Sequence, residues 1–116
     1  MKNIVRNKSF EFELTLKYED TAVAINLSTL TDITVVIREK KTRTVLMTKL
    51  YSTGGVTIVT AASGICSVYV NDTDTASAAL GAYEYLATID IANANFDGSS
   101  ADFANGNYEP AFNLVA

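Results

Sequence analysis

Histidine and tryptophan are absent from this chain of 116 residues, and cysteine and proline occur once each, as Cys66 and Pro110. Without imidazole there is no Ser-His-Asp or Cys-His catalysis, and a lone thiol leaves zinc without its usual ligands. A conventional hydrolase or metalloenzyme is therefore not expected. One cysteine cannot close an internal disulfide, and the first ten residues offer only Ile4-Val5 as apolar neighbours, so no signal-peptide core is visible. Folding in a reducing cytoplasm is the default expectation. No apolar run approaches the roughly eighteen residues a membrane helix needs, so a soluble chain is expected. The length suits one domain with one core, burying roughly two-thirds of the surface the unfolded chain exposes.

Positive charge is missing from the second half. Residues 1–49 hold all nine bases (Lys2, Arg6, Lys8, Lys17, Arg38, Lys40, Lys41, Arg43, Lys49) and six acids, a net charge of +3, whereas residues 50–116 hold seven acids and no base, a net charge of −7. A chain of overall charge −4 with its bases confined to one segment is a poor general nucleic-acid binder, because that binding needs many phosphate contacts from one basic face. A polarised surface that docks on other protein copies makes better use of the pattern.

Thr, Val, Ile, Phe and Tyr fill 43 of the 116 positions, so the composition leans to β. Over residues 10–18, Phe10, Phe12, Leu14, Leu16 and Tyr18 alternate with Glu11, Glu13, Thr15 and Lys17, the period-two pattern of a strand with one wet face. A polar turn at residues 19–21 precedes a short strand over 22–27, broken by residues 28–32. Ile33, Val35 and Ile37 begin a hairpin completed by residues 45–50, with a charged tip at residues 39–43. Strands are expected at 56–60 and 65–70 around a turn at 61–64, and again over 82–91, where Tyr83, Tyr85, Ala87, Ile89 and Ile91 alternate with polar residues. Residues 71–81 are the one helix-like stretch: Asp72 or Thr73 can cap it, Gly81 fits a left-handed stop, and it would cross between sheets. Residues 92–106 read as a long polar loop or irregular hairpin pinned by Phe96 and Phe103, and 108–115 as the closing strand, with Pro110 at an edge or at the strand's start. Strands spaced every ten or so residues point to a sandwich or a barrel. No repeat, heptad or low-complexity tract is present.

Few residues carry candidate chemistry. Paired carboxylates at Asp72/Asp74 and Asp97/Asp102 could ligate calcium, but neither stretch matches an EF-hand loop, and Asp, Asn, Ser and Gly dominate ordinary turns. The same pairs could serve a glycosidase, and other Lys, Asp and Ser residues some other enzyme, but no spacing points to a cleft. Tyr83 and Tyr85, with Tyr69 or Tyr108, could form a sugar-stacking platform; core or cross-strand packing is the favoured reading. Cys66 reads as a small buried hydrophobe. The basic tip of Arg38, Lys40, Lys41 and Arg43 reads first as a solvated, edge-protecting group and second as a contact for an acidic partner.

Taken together, Ser9-Phe10-Glu11-Phe12-Glu13-Leu14, Ala24-Ile25-Asn26-Leu27-Ser28, Ile33-Thr34-Val35-Val36-Ile37-Arg38, the strand-to-turn from Gly64 through Val70-Asn71-Asp72-Thr73-Asp74-Thr75, and Leu80-Gly81-Ala82-Tyr83-Glu84-Tyr85 form an ordered pattern. Over about residues 8–115 it resembles the immunoglobulin-like domains of tailed-phage virion proteins, notably the N-terminal domain of baseplate upper proteins and small tail or fibre adaptors. The Leu80–Tyr85 piece is comparable to the corner where immunoglobulin-type sandwiches cross between sheets. Two departures are the Glu19-Asp20-Thr21-Ala22 turn, which lacks Gly and Pro, and the Asn/Ala/Ser-rich insert before the closing strand.

The resemblance implies an all-β, immunoglobulin-like β-sandwich of about seven to eight strands with one short connecting helix, in a single domain with an arm at residues 1–8 and a polar loop at 92–107. It further implies a non-enzymatic subunit of the virion, at the tail, baseplate, neck, fibre attachment or head surface, without cofactor, metal, nucleic acid or membrane and without a receptor-binding head. It would contact other virion proteins as a homo-oligomer or as ring-attached copies. The candidate contacts are Arg38, Lys40, Lys41, Arg43, Phe96, Phe103 and Tyr108. A carbohydrate-binding or adhesion module is the alternative.

Overall fold

The computed structural model describes residues 2–16, 27, 30–92, 100–104 and 108–116. Nine strands are found among them: β1 (Lys2–Val5), β2 (Phe10–Thr15), β3 (Leu30–Glu39), β4 (Val45–Leu50), β5 (Val56–Thr60), β6 (Ile65–Val70), β7 (Gly81–Ala92), β8 (Ser100–Ala104) and β9 (Glu109–Val115). A 3-10 turn, Ala61–Ser63, joins β5 to β6, and one helical turn, α1 (Asp72–Thr75), lies between β6 and β7. The larger sheet has the order β1-β9-β7-β3-β4, with β8 on the far half of β7, and the smaller sheet is β2-β6-β5. With β2, β3, β4, β5, β6, β7 and β9 taken as strands B, C, C′, D, E, F and G, the sheets read G-F-C-C′ and B-E-D. Those seven strands follow the order that immunoglobulin-type sandwiches with a C′ strand have, while a C″ strand has no counterpart among the described residues and β8 has no place in that scheme.

Alternation builds the core. Ile33, Val35 and Ile37 of β3 are fully buried while Thr34, Val36 and Arg38 face outward, and Cys66, Val68 and Val70 of β6 meet them from the smaller sheet. Aromatic rings fill one end of the interior: Phe112 lies edge-on to Phe10 at 4.9 Å and stacks on Tyr83 at 5.3 Å between ring centroids. Burying side chains of this size contributes on the order of 1.5–3 kcal/mol each. The preference of Tyr83 and Tyr85 for packing over sugar stacking is met, since Tyr83 is buried and Tyr85 is half-buried against the core.

Several expectations change in detail. The strand expected over 10–18 ends at Thr15, and Leu16 is buried with its amide donating to the Gly64 carbonyl at 2.8 Å. The strand expected over 22–27 lies outside the described residues except for Leu27, which is buried. The expected arm at 1–8 contains β1, paired in parallel with β9 from Lys2 opposite Phe112 to Val5 opposite Val115. The expected loop at 92–107 contains β8, which pairs with β7 as an antiparallel hairpin arm. Pro110 pairs with Glu84 at a register shift, beyond the reach of β1, whose first partner is Phe112, so its missing N–H faces a locally open edge.

The helix is a single turn. Asn71, not Asp72 or Thr73, is its N-cap residue, and the Asn71 amide donates to Asp74 Oδ2 at 2.8 Å. Gly81 does not stop this helix, whose C-cap is Ala76. It opens β7 with φ +132°, a backbone conformation that L side chains rarely adopt. That conformation belongs to the corner between sheets. Two residues on, the Tyr83 hydroxyl donates to the Ala79 carbonyl at 2.7 Å, the contact known as a tyrosine corner in immunoglobulin-type domains.

Candidate interaction surface

The charged tip expected between β3 and β4 is present, and its backbone is tightly determined. The Glu39 amide donates to the Thr44 carbonyl at 2.9 Å, and the Arg43 amide donates back to the Glu39 carbonyl at 2.8 Å. Thr42 Oγ1 lies 3.0 Å from Glu39 Oε2 and 2.9 Å from Thr44 Oγ1, so side chains tie the turn internally. Arg43 sits at φ +60°, in the left-handed region that costs a residue with a Cβ and suits glycine. The Lys40 amide donates to the Ala82 carbonyl at 3.0 Å, which fastens the tip to the start of β7. Lys40, Lys41 and Arg43 are all exposed.

Arg38 is different. It lies directly opposite Glu84 on the outer face of the larger sheet, and its Nε contacts Glu84 Oε2 at 2.5 Å. Its guanidinium carbon is 3.3 Å from the centre of the Tyr108 ring. Carboxylate and aromatic ring hold the cation from two sides, which uses its charge inside the fold. The structure therefore brings Arg38 and Tyr108 together as a clamp beside the tip, half-buried. A cavity of about 180 Å³ adjoins the clamp, lined by Lys40, Ala82, Tyr83, Glu84, Tyr108 and Pro110. Phe96 lies outside the described residues. Phe103 is opposite Ile89 on β8, on the half of β7 remote from the tip, which adjoins Ala82.

Lys49, the last base in the sequence, lies on β4 and pairs with Asp74 of α1 at 2.7 Å, joining the larger sheet's edge to the connector between sheets. Asp74 thus serves Lys49 and the Asn71 amide, while Asp72 Oδ1 accepts from the Thr73 amide at 2.8 Å. The acids at 71–74 are turn and ion-pair residues. Among the described residues no group of three Asp, Glu or Cys side chains is placed to hold a metal. Of the second acidic pair, Asp97 lies outside the described residues and Asp102 is opposite Asp90 in the β7–β8 pairing.

The remaining candidates resolve into separate places. Cys66 is wholly buried, and burial pushes its thiol up to about 12, so it carries no thiolate at neutral pH. Tyr69 stands out from β6, flanked by an open cleft of about 320 Å³ lined by Thr48, Lys49, Thr53 and Asn71 and by a shallower one beside Ser9 and Glu11. Alternation alone could have marked Tyr69 as outward-facing, because its neighbours Val68 and Val70 are core. No sequence signal announced the Arg38–Tyr108 contact, because the two residues meet only when β9 and β3 flank β7.

These features define an all-β, two-sheet sandwich whose distinctive exposed chemistry is a cationic hairpin tip on a clamped base. No family profile matches the chain, and no curated protein matches it.

Proposed function

We propose that this protein is a non-enzymatic structural subunit of a bacteriophage particle, an adaptor of the tail, baseplate, neck or fibre-attachment region. It acts by docking the exposed β3–β4 tip against an acidic surface of a neighbouring virion protein. The observation that carries the docking reading is Arg43. A non-glycine residue held at positive φ costs on the order of 1 kcal/mol, and here the strained position at an exposed tip is filled by a cation beside Lys40 and Lys41. Solubility does not require a cation at that position. The assignment to a phage particle is supported by the resemblance of the ordered sequence pattern to virion immunoglobulin-like domains.

The test uses two variants with opposite consequences. Arg43→Gly relieves the strain and is expected to raise the melting temperature by a few degrees, on the order of 1 kcal/mol, while weakening incorporation. The triple variant Lys40→Glu, Lys41→Glu, Arg43→Glu is expected to remain folded by circular dichroism and to vanish from purified particles by mass spectrometry. Wild-type protein missing from particles, or a triple variant incorporated at the wild-type level, overturns the proposal.

A further inference from the structure

A strand at the margin of a sheet presents unpaired backbone N–H and C=O groups, and proteins guard such edges with charge, proline, β-bulges or covering elements. The edge strands described here are β1 and β4 in the larger sheet and β2 and β5 in the smaller one, with β8 on the far half of β7. β1 carries Lys2, β2 carries Glu11 and Glu13, β4 carries Lys49 and is bridged to α1, and β8 carries Asp102. The fifth, β5, reads Val56-Thr57-Ile58-Val59-Thr60: it has no ionisable residue and no proline, and every side chain is β-branched. Thr57, Val59 and Thr60 are exposed, Val59 to 52%, and no described strand pairs with the side of β5 away from β6.

We propose that β5 is the interface between two copies of this chain. The strands pair antiparallel about a two-fold axis and join two three-stranded sheets into one continuous sheet across the dimer.

The occupant is a second copy because of what two-fold symmetry demands of a strand. An antiparallel self-pair sets residues before the axis against residues after it, and like charges directly opposite one another are destabilising. On β2, an axis at Phe12 would set Glu11 against Glu13. On β5, an axis at Thr57 sets Val56 against Ile58, and an axis at Ile58 sets Thr57 against Val59. Valine and threonine have nearly the same shape, so the side chains match whichever residue lies on the axis. A strand without charge gives a strongly acidic or basic partner no electrostatic hold. The register shift between Ile58 and Thr60 leaves Val59 as an extra residue opposite β6 and bends the strand there, so the association is weak and depends on concentration. The inference goes beyond the proposed function and does not rest on it: the cationic tip belongs to the other sheet and stays available in the dimer.

Sedimentation velocity on the full chain, from about 1 μM to about 1 mM, covers the range of weak, small interfaces. The wild-type protein is expected to pass from monomer to dimer across that range. Val59→Lys and Thr57→Lys, at exposed positions, are expected to stay monomeric with unchanged circular dichroism and melting temperature, and Val59→Thr to dimerise like the wild type. Amide hydrogen exchange on the wild-type chain supplies a readout without any variant: β5 amides are expected to gain protection as concentration rises. A wild-type chain that stays monomeric, assemblies larger than a dimer, a Val59→Lys chain that dimerises normally, or β5 exchange indifferent to concentration each overturns the proposal.

Discussion

Tyr83 uses both ends of its side chain. Its ring stacks on Phe112 inside the core, and its hydroxyl reaches back four residues to the Ala79 carbonyl, so one residue fixes how the connector enters β7. Burial, reinforced by the negative charge of Glu39, pushes the phenol above its ordinary range and keeps it a donor at neutral pH. Replacing Tyr83 by Phe retains the ring and removes the bond. Because Ala79 is exposed and its carbonyl can turn to water, the expected loss is about 1 kcal/mol, read as a lower urea midpoint with an unchanged m-value. Amides at residues 79–81 should exchange faster in the same variant. That Tyr83 belongs to the core was legible, because it begins a clean alternation through Ile91. That its hydroxyl closes the corner was not, since the contact depends on Gly81 holding φ +132° in a segment without periodicity.

At the scale of the element, the strands that alternate, β2, β3 and most of β7, were legible because one face of each is more buried than the other, and β4 and β6 were legible as short apolar runs bounded by turns. β1 and β8 were not. They are short, and only their partners define them, Phe112 to Val115 for β1 and Thr88 to Ala92 for β8. The same limit applies to the site: the tip followed from a run of bases between two strand-like segments, whereas the Arg38–Glu84–Tyr108 clamp required three strands to be placed side by side.

The loop after β4 shows how one carboxylate can hold an element. Asp32 Oδ1 accepts from the Ile33 amide at 2.8 Å and the Ser52 amide at 3.0 Å, and the Ser52 hydroxyl donates to Oδ2 at 2.9 Å. Burial opposes the charged form, but these bonds together outweigh it and hold the carboxyl below its ordinary value of 3.8. A carboxyl depressed in the folded state stabilises above its unfolded pKa, and that contribution is lost as pH falls through the folded value. The wild-type chain should therefore lose stability below about pH 4 more steeply than Asp32→Asn. Urea midpoints compared at pH 7 and pH 3 measure this, and equal slopes for the two proteins would remove Asp32 as the cause.

For the whole molecule, the division of charge along the sequence does not become a division of space. A sandwich interleaves distant segments, so bases before residue 50 meet acids after it: Arg38 meets Glu84 within the larger sheet, and Lys49 meets Asp74 at the crossing. What stays exposed at the tip is Lys40, Lys41 and Arg43, a smaller and sharper feature than the sequence halves implied.

The parallel pairing of β1 with β9 gives the molecule a mechanical direction. Lys2 begins β1 and Val115 ends β9, and the strands run the same way, so tension drawn between those residues slides one strand along the other. Sliding loads every rung of that pairing at once. Tension between Thr34 and Leu50, opposite residues of the antiparallel β3–β4 pair, instead peels rungs one after another. Single-molecule pulling should therefore record a higher rupture force for the Lys2–Val115 attachment than for Thr34–Leu50, and equal forces would show that β1 bears no load.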